Sequence, residues 1–239
     1  MLEYILLILV GFGGGFVQRV SGFGLGIFVM MFLPHFLPSH NAAASVSCLF
    51  SCVTSTYNAL RYRKDVAYKT VIPLLIAALV TIPIAVGFAA FVSGDIFEIL
   101  LGAVLIVLSL YFLFFNDRIR IRPTLAGGVL AGGLGGALNG LFSTGGPPVV
   151  LYLSQVAPDN ITYFATIQFY FCLTNLYAIA NRALNGLIDA PLLIYAAVGM
   201  VGCMAGDYVG KRVFDKLDGN KLKKIIYIAM IISGVIMLF

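Results

Sequence analysis

Gly135-Gly136-Ala137-Leu138-Asn139-Gly140-Leu141-Phe142-Ser143-Thr144-Gly145-Gly146-Pro147-Pro148 interrupts an apolar stretch that runs from 124 to 156. As a single helix that stretch would be about 50 Å long, against a hydrocarbon core of about 30 Å. Its middle is rich in Gly and polar residues and carries a proline pair. It therefore reads as a helical hairpin, with two limbs of about 15 residues reaching roughly 22 Å each. Residues 2–37 form a second overlong stretch, broken at Gly13-Gly14-Gly15-Phe16-Val17-Gln18-Arg19-Val20-Ser21-Gly22-Phe23-Gly24. By analogy it is a hairpin too.

The composition agrees with a membrane solvent. Of 239 residues, 61% are hydrophobic and 10% are charged. Soluble domains carry roughly 25% charged residues. A soluble globular domain, a disordered chain and a nucleic-acid binder are excluded. Six further segments have the length and apolarity of spanning helices: 41–60, 70–92, 96–115, 161–181, 190–210 and 222–239. The first residues lack a basic region and a cleavage site, so they read as a retained membrane segment. Cys48, Cys52, Cys172 and Cys203 lie within apolar runs and read as free thiols.

The charges set the topology. All but Arg19 and Arg182 of the 15 Lys and Arg lie in loops 61–69, 116–122 and 211–224. Basic loops favour the cytoplasm. All three share a side only if 124–156 enters and leaves on one face, which again makes it a hairpin. The net charge of +5 is thus a matter of topology.

Two features recur. Pro73-Leu74-Leu75-Ile76 returns as Pro191-Leu192-Leu193-Ile194, 118 positions on. Gly14-Gly15-x-x-Gln18-x-x-x-x-x-Gly24 returns as Gly135-Gly136-x-x-Asn139-x-x-x-x-x-Gly145, 121 positions on. The loop Ser93-Gly94-Asp95 has no basic residue, whereas its counterpart is the basic loop 211–224. Opposite loop charge at equivalent positions marks inverted repeats. The expected fold is an all-α polytopic membrane protein, a single domain over 1–239. It has two inverted-topology repeats, about 1–116 and about 123–239, each a broken-helix hairpin plus three transmembrane helices.

Such folds place their site near the midplane, where the breaks meet. Arg19 is a strong charge inside a break, costing at least about 2.5–3.5 kcal/mol at a helix centre. One reading gives it a bound anion; the other has it snorkel to an interface or cap carbonyls. Gln18 and Asn139 occupy equivalent positions and offer amide donors to oxyanion oxygens, or glue the hairpins together. Ser21, Ser143 and Thr144 add hydroxyls, with packing or local capping as the alternative. Gly24 and Gly145 shape the backbone and offer N–H groups. Pro147-Pro148 fits the first turn of a returning half-helix whose N-terminus points inward and favours an anion. Asn58 and Asn175, on the second helix of each repeat, either face the site or serve structure.

Asp207 reads as the partner of Lys211, four residues on. Asp95 and Glu98 lie near the outer interface, and His35 and His40 read as solvent-exposed in an outer loop. No His, Cys and carboxylate cluster appears, so no catalytic residue, metal ligand or cofactor is expected, and an enzyme is disfavoured.

The first break, Gly11-Phe12-x-x-Gly15-Phe16-Val17-Gln18-x-x-Ser21-Gly22-Phe23-Gly24, resembles the signature of the TauE/SafE family, the sulfite exporter group. The second break, ending Gly145-Gly146-Pro147-Pro148, is similar to that family's repeated motif. The resemblance implies a permease of the bacterial inner membrane that exports small sulfur-containing anions such as sulfite or organosulfonates. Arg19 stands outside the family pattern, with Gly140 at its repeat position.

The resulting expectation is a secondary transporter of a small anionic substrate. It works by alternating access at a midplane site, with the bilayer as surroundings and no nucleic-acid partner. The site residues are Gln18, Arg19, Ser21, Gly24, Asn58, Asn139, Ser143, Thr144, Gly145 and Asn175. An anion channel and a carboxylate permease are the alternatives. The coupling ion, direction of flux and oligomeric state are not written in the residues.

Overall fold

The computed structural model describes residues 2–114, 124–213, 227–228 and 231–238. These are helical and contain no strand. The order is α1 (Leu2–Ser21), α2 (Leu25–Met30), α3 (His40–Arg61), α4 (Tyr68–Phe91), α5 (Gly94–Phe114), α6 (Leu125–Phe142), α7 (Gly146–Val156), α8 (Asn160–Leu184) and α9 (Ala190–Val213). Residues 231–236 are helical as well. Residues 222–226, 229–230 and 239 of the expected helix 222–239, loop 116–122 and most of loop 211–224 lie outside the described residues.

Local chemistry sets several helix starts. The hydroxyls of Ser39 and Thr124 accept from the backbone N–H of Ala42 and Gly127, each at 3.1 Å. The Asp159 carboxylate accepts from the N–H groups of Ile161 and Thr162, each at 2.9 Å. These are N-cap bonds that satisfy first-turn donors. The Thr162 backbone bond, with help from its hydroxyl, holds the Asp159 carboxyl below the usual carboxylate range. The stabilisation it gives is present above the ordinary carboxylate pKa and is lost as pH falls through the lowered value.

α1, α4, α5, α6 and α9 are long and apolar enough to cross a bilayer. α4 turns Ile72, Ile76, Val80 and Ile84 outward. α3 and α8 are long enough, at about 33 and 38 Å, but carry more polar side chains. Ser45, Ser47, Ser51, Thr54, Ser55 and Asn58 of α3 are buried, as are Thr166, Gln168, Thr174, Asn175 and Arg182 of α8. These two helices pack on each other at the centre. Apolar side chains face out and polar ones face in, which suits a hydrocarbon surround.

Both broken stretches are hairpins. The Tyr152 hydroxyl donates to the carbonyl of Thr124 at 3.2 Å, so α7 returns to the level at which α6 began. α2 packs back on α1, with Val29 and Leu25 against Gly14. The limbs are unequal, however, where equal ones of about 15 residues were expected. The outgoing helices have 20 and 18 residues and the returning ones 6 and 11. Each outgoing limb therefore reaches past the middle before it turns.

The long limbs lie along helices from the other half of the chain: α1 along α9, and α6 along α4. Glycine makes both contacts backbone to backbone. Gly11 and Gly15 of α1 face Gly199 and Cys203 of α9; Gly132, Gly136 and Gly140 of α6 face Leu74, Ala78 and Ile82 of α4. Small residues four apart are a recurrent way for membrane helices to approach closely. Thr81 of α4 adds a bond from its hydroxyl to the Gly133 carbonyl, 2.9 Å.

Candidate functional site

The two breaks meet. A methyl at Gly26 would collide with the Ser143 carbonyl, and Phe23 packs 3.4 Å from the position of a methyl at Gly146. Gly22 and Gly24 turn the first break with φ of 80° and 96°; Ser143 turns the second with φ of 58°. The left-handed conformation is strained for Ser143, which has a Cβ, and here it ends α6 and aims the chain back into α7.

Between the turns lies a cavity lined by Gln18, Gly24, Ser51, Asn139, Ser143, Thr144, Gly145, Gly146 and Asn175, with Phe23 and Phe171 as apolar walls. Its free space at water centres is about 20 Å³, room for a single water. Asn139, Ser143 and Thr144 are 4%, 5% and 2% exposed. Asn139 Nδ2, Ser143 Oγ and Thr144 Oγ1 have no hydrogen-bond partner. Leaving such groups unpaired costs about 1–3 kcal/mol each. Three converging groups of this kind fit a ligand with acceptor oxygens. α7 begins here with Pro147 in its first turn, so its N-terminal end, the positive end of the dipole, faces the same space.

Gln18 and Asn139 are not alike in their bonding. The Thr54 hydroxyl donates to Gln18 Oε1 at 3.0 Å, Gln18 Nε2 donates to Gln168 Oε1 at 3.2 Å, and Gln168 Nε2 donates to the Gly22 carbonyl at 2.9 Å. This chain of amides ties the first break to α3 and α8. Gln18 therefore lines the cavity and binds the scaffold together, while Asn139 keeps its donor free.

Arg19, Ser21 and Asn58 do not line this cavity. Arg19 donates to Asn58 Oδ1 at 3.1 Å and to the Tyr62 hydroxyl at 3.4 Å, and lies 5.4 Å from the Phe164 ring centroid. These partners sit at the end of α3 and the start of α8, so Arg19 belongs near the face of Arg61 and Arg63 rather than the centre. It lines a larger cavity of about 510 Å³ with Ser21, Gly22, Tyr62, Tyr163, Phe164 and Lys211. The Ser21 hydroxyl bonds locally, to the carbonyls of Val17 and Phe23. Residues 21–24 thus lie between the central cavity, lined by Phe23 and Gly24, and this larger vestibule, lined by Ser21 and Gly22. Asp207 of α9 stands within electrostatic reach of Arg19 as well as Lys211. The carboxylate that the break itself lacks comes from a neighbouring helix.

Arg182, which follows Asn181 just past the expected helix 161–181, is fully buried. The single signal was its position outside the three basic loops. Ser51, Thr54 and Gln168 gave no motif; only folding brings them beside the breaks. His40 departs from the expected solvent exposure. It opens α3, stacks on Phe97 with ring centroids 5.5 Å apart, and faces Glu98 at 3.8 Å. The four cysteines are free thiols. Among the described residues no group of His, Cys, Asp and Glu could hold a metal ion.

A curated relative from Cupriavidus necator (strain H16) is named as a probable sulfite/organosulfonate exporter TauE. It is 23% identical over 205 residues, which cover 83% of this chain and 79% of the relative. No solved structure matches the chain. The model of the sulfite exporter TauE/SafE family matches residues 7–237, and the two glycine-rich breaks that enclose the cavity fall within that match, so the chain belongs to this family of membrane transporters.

Proposed function

We propose that the protein exports a small sulfur-containing anion, sulfite or an organosulfonate, from the bacterial cytoplasm across the inner membrane. The observation that carries this reading is the set of three unpartnered donors, Asn139 Nδ2, Ser143 Oγ and Thr144 Oγ1, around one cavity between the hairpin turns. Sulfite and sulfonates present three acceptor oxygens. The family relationship and the relative's name support the same substrate class. A space that holds one water is too small for a four-atom oxyanion, so the cavity corresponds to a closed state that must widen on one side.

The two halves of the chain act as inverted repeats, 1–116 and 123–239. Reciprocal packing supports this: α1 leans on α9 as α6 leans on α4, and α3 meets α8 at the centre. Rocking of one hairpin and its glycine-packed partner helix against the other opens the cavity first to one face and then to the other. The basic loops 61–69, 116–122 and 211–224 face the cytoplasm. The vestibule of Arg19 and Lys211 then lies on the side from which an exported anion arrives. Arg19 collects the anion electrostatically and hands it to the cavity once residues 21–24 move.

Sulfite flux into proteoliposomes tests the mechanism. The expected result is slow, saturable uptake without channel currents. Unitary anion currents would instead favour a continuous pore. In the same assay Arg19→Ala is expected to raise KM about tenfold at low salt with little change at saturating sulfite, and the difference shrinks as salt screens the field. Unchanged KM at low salt overturns the collecting role.

A further inference from the structure

α6 ends at Phe142, beside the cavity, so its carbonyl end directs negative potential toward the place where an anion would sit. Arg182 of α8 covers that end. One guanidinium nitrogen donates to the Gly140 carbonyl at 2.7 Å and the Leu141 carbonyl at 3.1 Å, and the other donates to the Ser45 hydroxyl at 3.3 Å. The Nε–H has no partner. Arg182 is 0% exposed. Among the described residues no carboxylate forms an ion pair with it, and the titratable side chain that faces it is the Cys48 thiol. Cys48 in turn lies beside Ser143 and, at 3.7 Å, Asn175 Oδ1, both of which line the cavity. A charge so buried needs negative potential nearby. The helix end supplies a fraction of a unit charge, and the position directly behind Gly140–Ser143 leaves the remainder of its field directed at the cavity.

We propose that Arg182 is the positioning charge of the anion site: it cancels the α6 dipole, adds net positive potential in the cavity, and sets a preference for doubly over singly charged oxyanions. This rests on reading the central cavity as the anion site. Low local dielectric strengthens the field of a buried charge. A dianion feels it twice as strongly as a monoanion of the same shape, so charge and mere packing are separable by experiment.

The test is equilibrium binding of sulfite, at a pH where it is a dianion, and of methanesulfonate, a monoanion, to purified wild type, Arg182→Lys and Arg182→Gln. The expected result is a fall in the sulfite-to-methanesulfonate affinity ratio of at least about tenfold in Arg182→Gln, with the ratio largely kept in Arg182→Lys. Equal losses for both anions in Arg182→Gln, or an equal loss of the ratio in the lysine variant, would overturn the assignment and leave Arg182 a helix cap. If Arg182→Gln does not fold, the wild type is compared at pH values where sulfite is a monoanion and a dianion, with methanesulfonate as the control for pH. The sulfite affinity relative to methanesulfonate must rise at least about tenfold with the second ionisation; an unchanged ratio overturns the proposal. If the wild type binds neither anion, it is the reading of the cavity itself that fails.

Discussion

Asn139→Leu will lose anion binding without losing stability. The substitution keeps the number and branching of the side-chain heavy atoms and removes a buried amide nitrogen that has no partner. Removing an unsatisfied donor is neutral or favourable for folding. Hydrogen bonds to charged groups are worth about 1.5–3 kcal/mol, which at 1.4 kcal/mol per decade is about a 10- to 150-fold weaker Kd. Thermal unfolding with and without sulfite reads both quantities at once. The expected outcome is an unchanged or higher Tm for the free protein and a much smaller sulfite-dependent shift. A lower Tm with an unchanged shift would mean that Asn139 serves packing rather than substrate.

The second large effect concerns the glycine contacts. A methyl at Gly132 would lie 2.5 Å from the Leu74 Cα and overlap its carbonyl oxygen. Backbone cannot step aside as a flexible side chain can, so α6 and α4 must separate along their whole contact. Overpacking costs about 1–3 kcal/mol in ordinary cores, and here several neighbouring glycine contacts are lost together. Gly132→Ala is expected to destabilise by at least about 3 kcal/mol and to cut the yield of folded protein sharply. Gly87 of α4 is the internal control, since a methyl there meets nothing within 4 Å. Gly87→Ala should be neutral or stabilising by up to about 1 kcal/mol, the helix-propensity gain. Similar behaviour of the two variants in detergent unfolding would contradict the close packing of α4 and α6.

The long helices and the hairpins were legible because a bilayer imposes a length. Residues 124–156 exceed one crossing, and Gly135–Pro148 marks where the helix must stop. The unequal limbs were not legible. Nothing in the local sequence says that α6 continues to Phe142, since Gly136 and Gly140 read as breakers and act instead as contact points for α4. Glycine spacing carries both meanings, and only the partner helix decides between them. At the site, Asn139, Ser143 and Thr144 stood out as polar residues in an apolar run. Arg19 stood out for the same reason, yet lies in the vestibule, because its depth is set by how far α1 extends past the centre. Arg182 was legible only as a cation outside the three basic loops. Its role depends on the end of α6 lying beside it, a tertiary fact with no trace in neighbouring residues.

The anion's position is the most direct test of the whole account. Selenite is a heavier relative of sulfite with an anomalous signal, and crystals of the wild type grown with it would locate the ion. The account predicts a peak within hydrogen-bond distance of Asn139 Nδ2, Ser143 Oγ and Thr144 Oγ1, in a cavity wider than the closed one. A peak confined to the vestibule of Arg19 and Lys211, with the central cavity still closed around its single-water space, would contradict it.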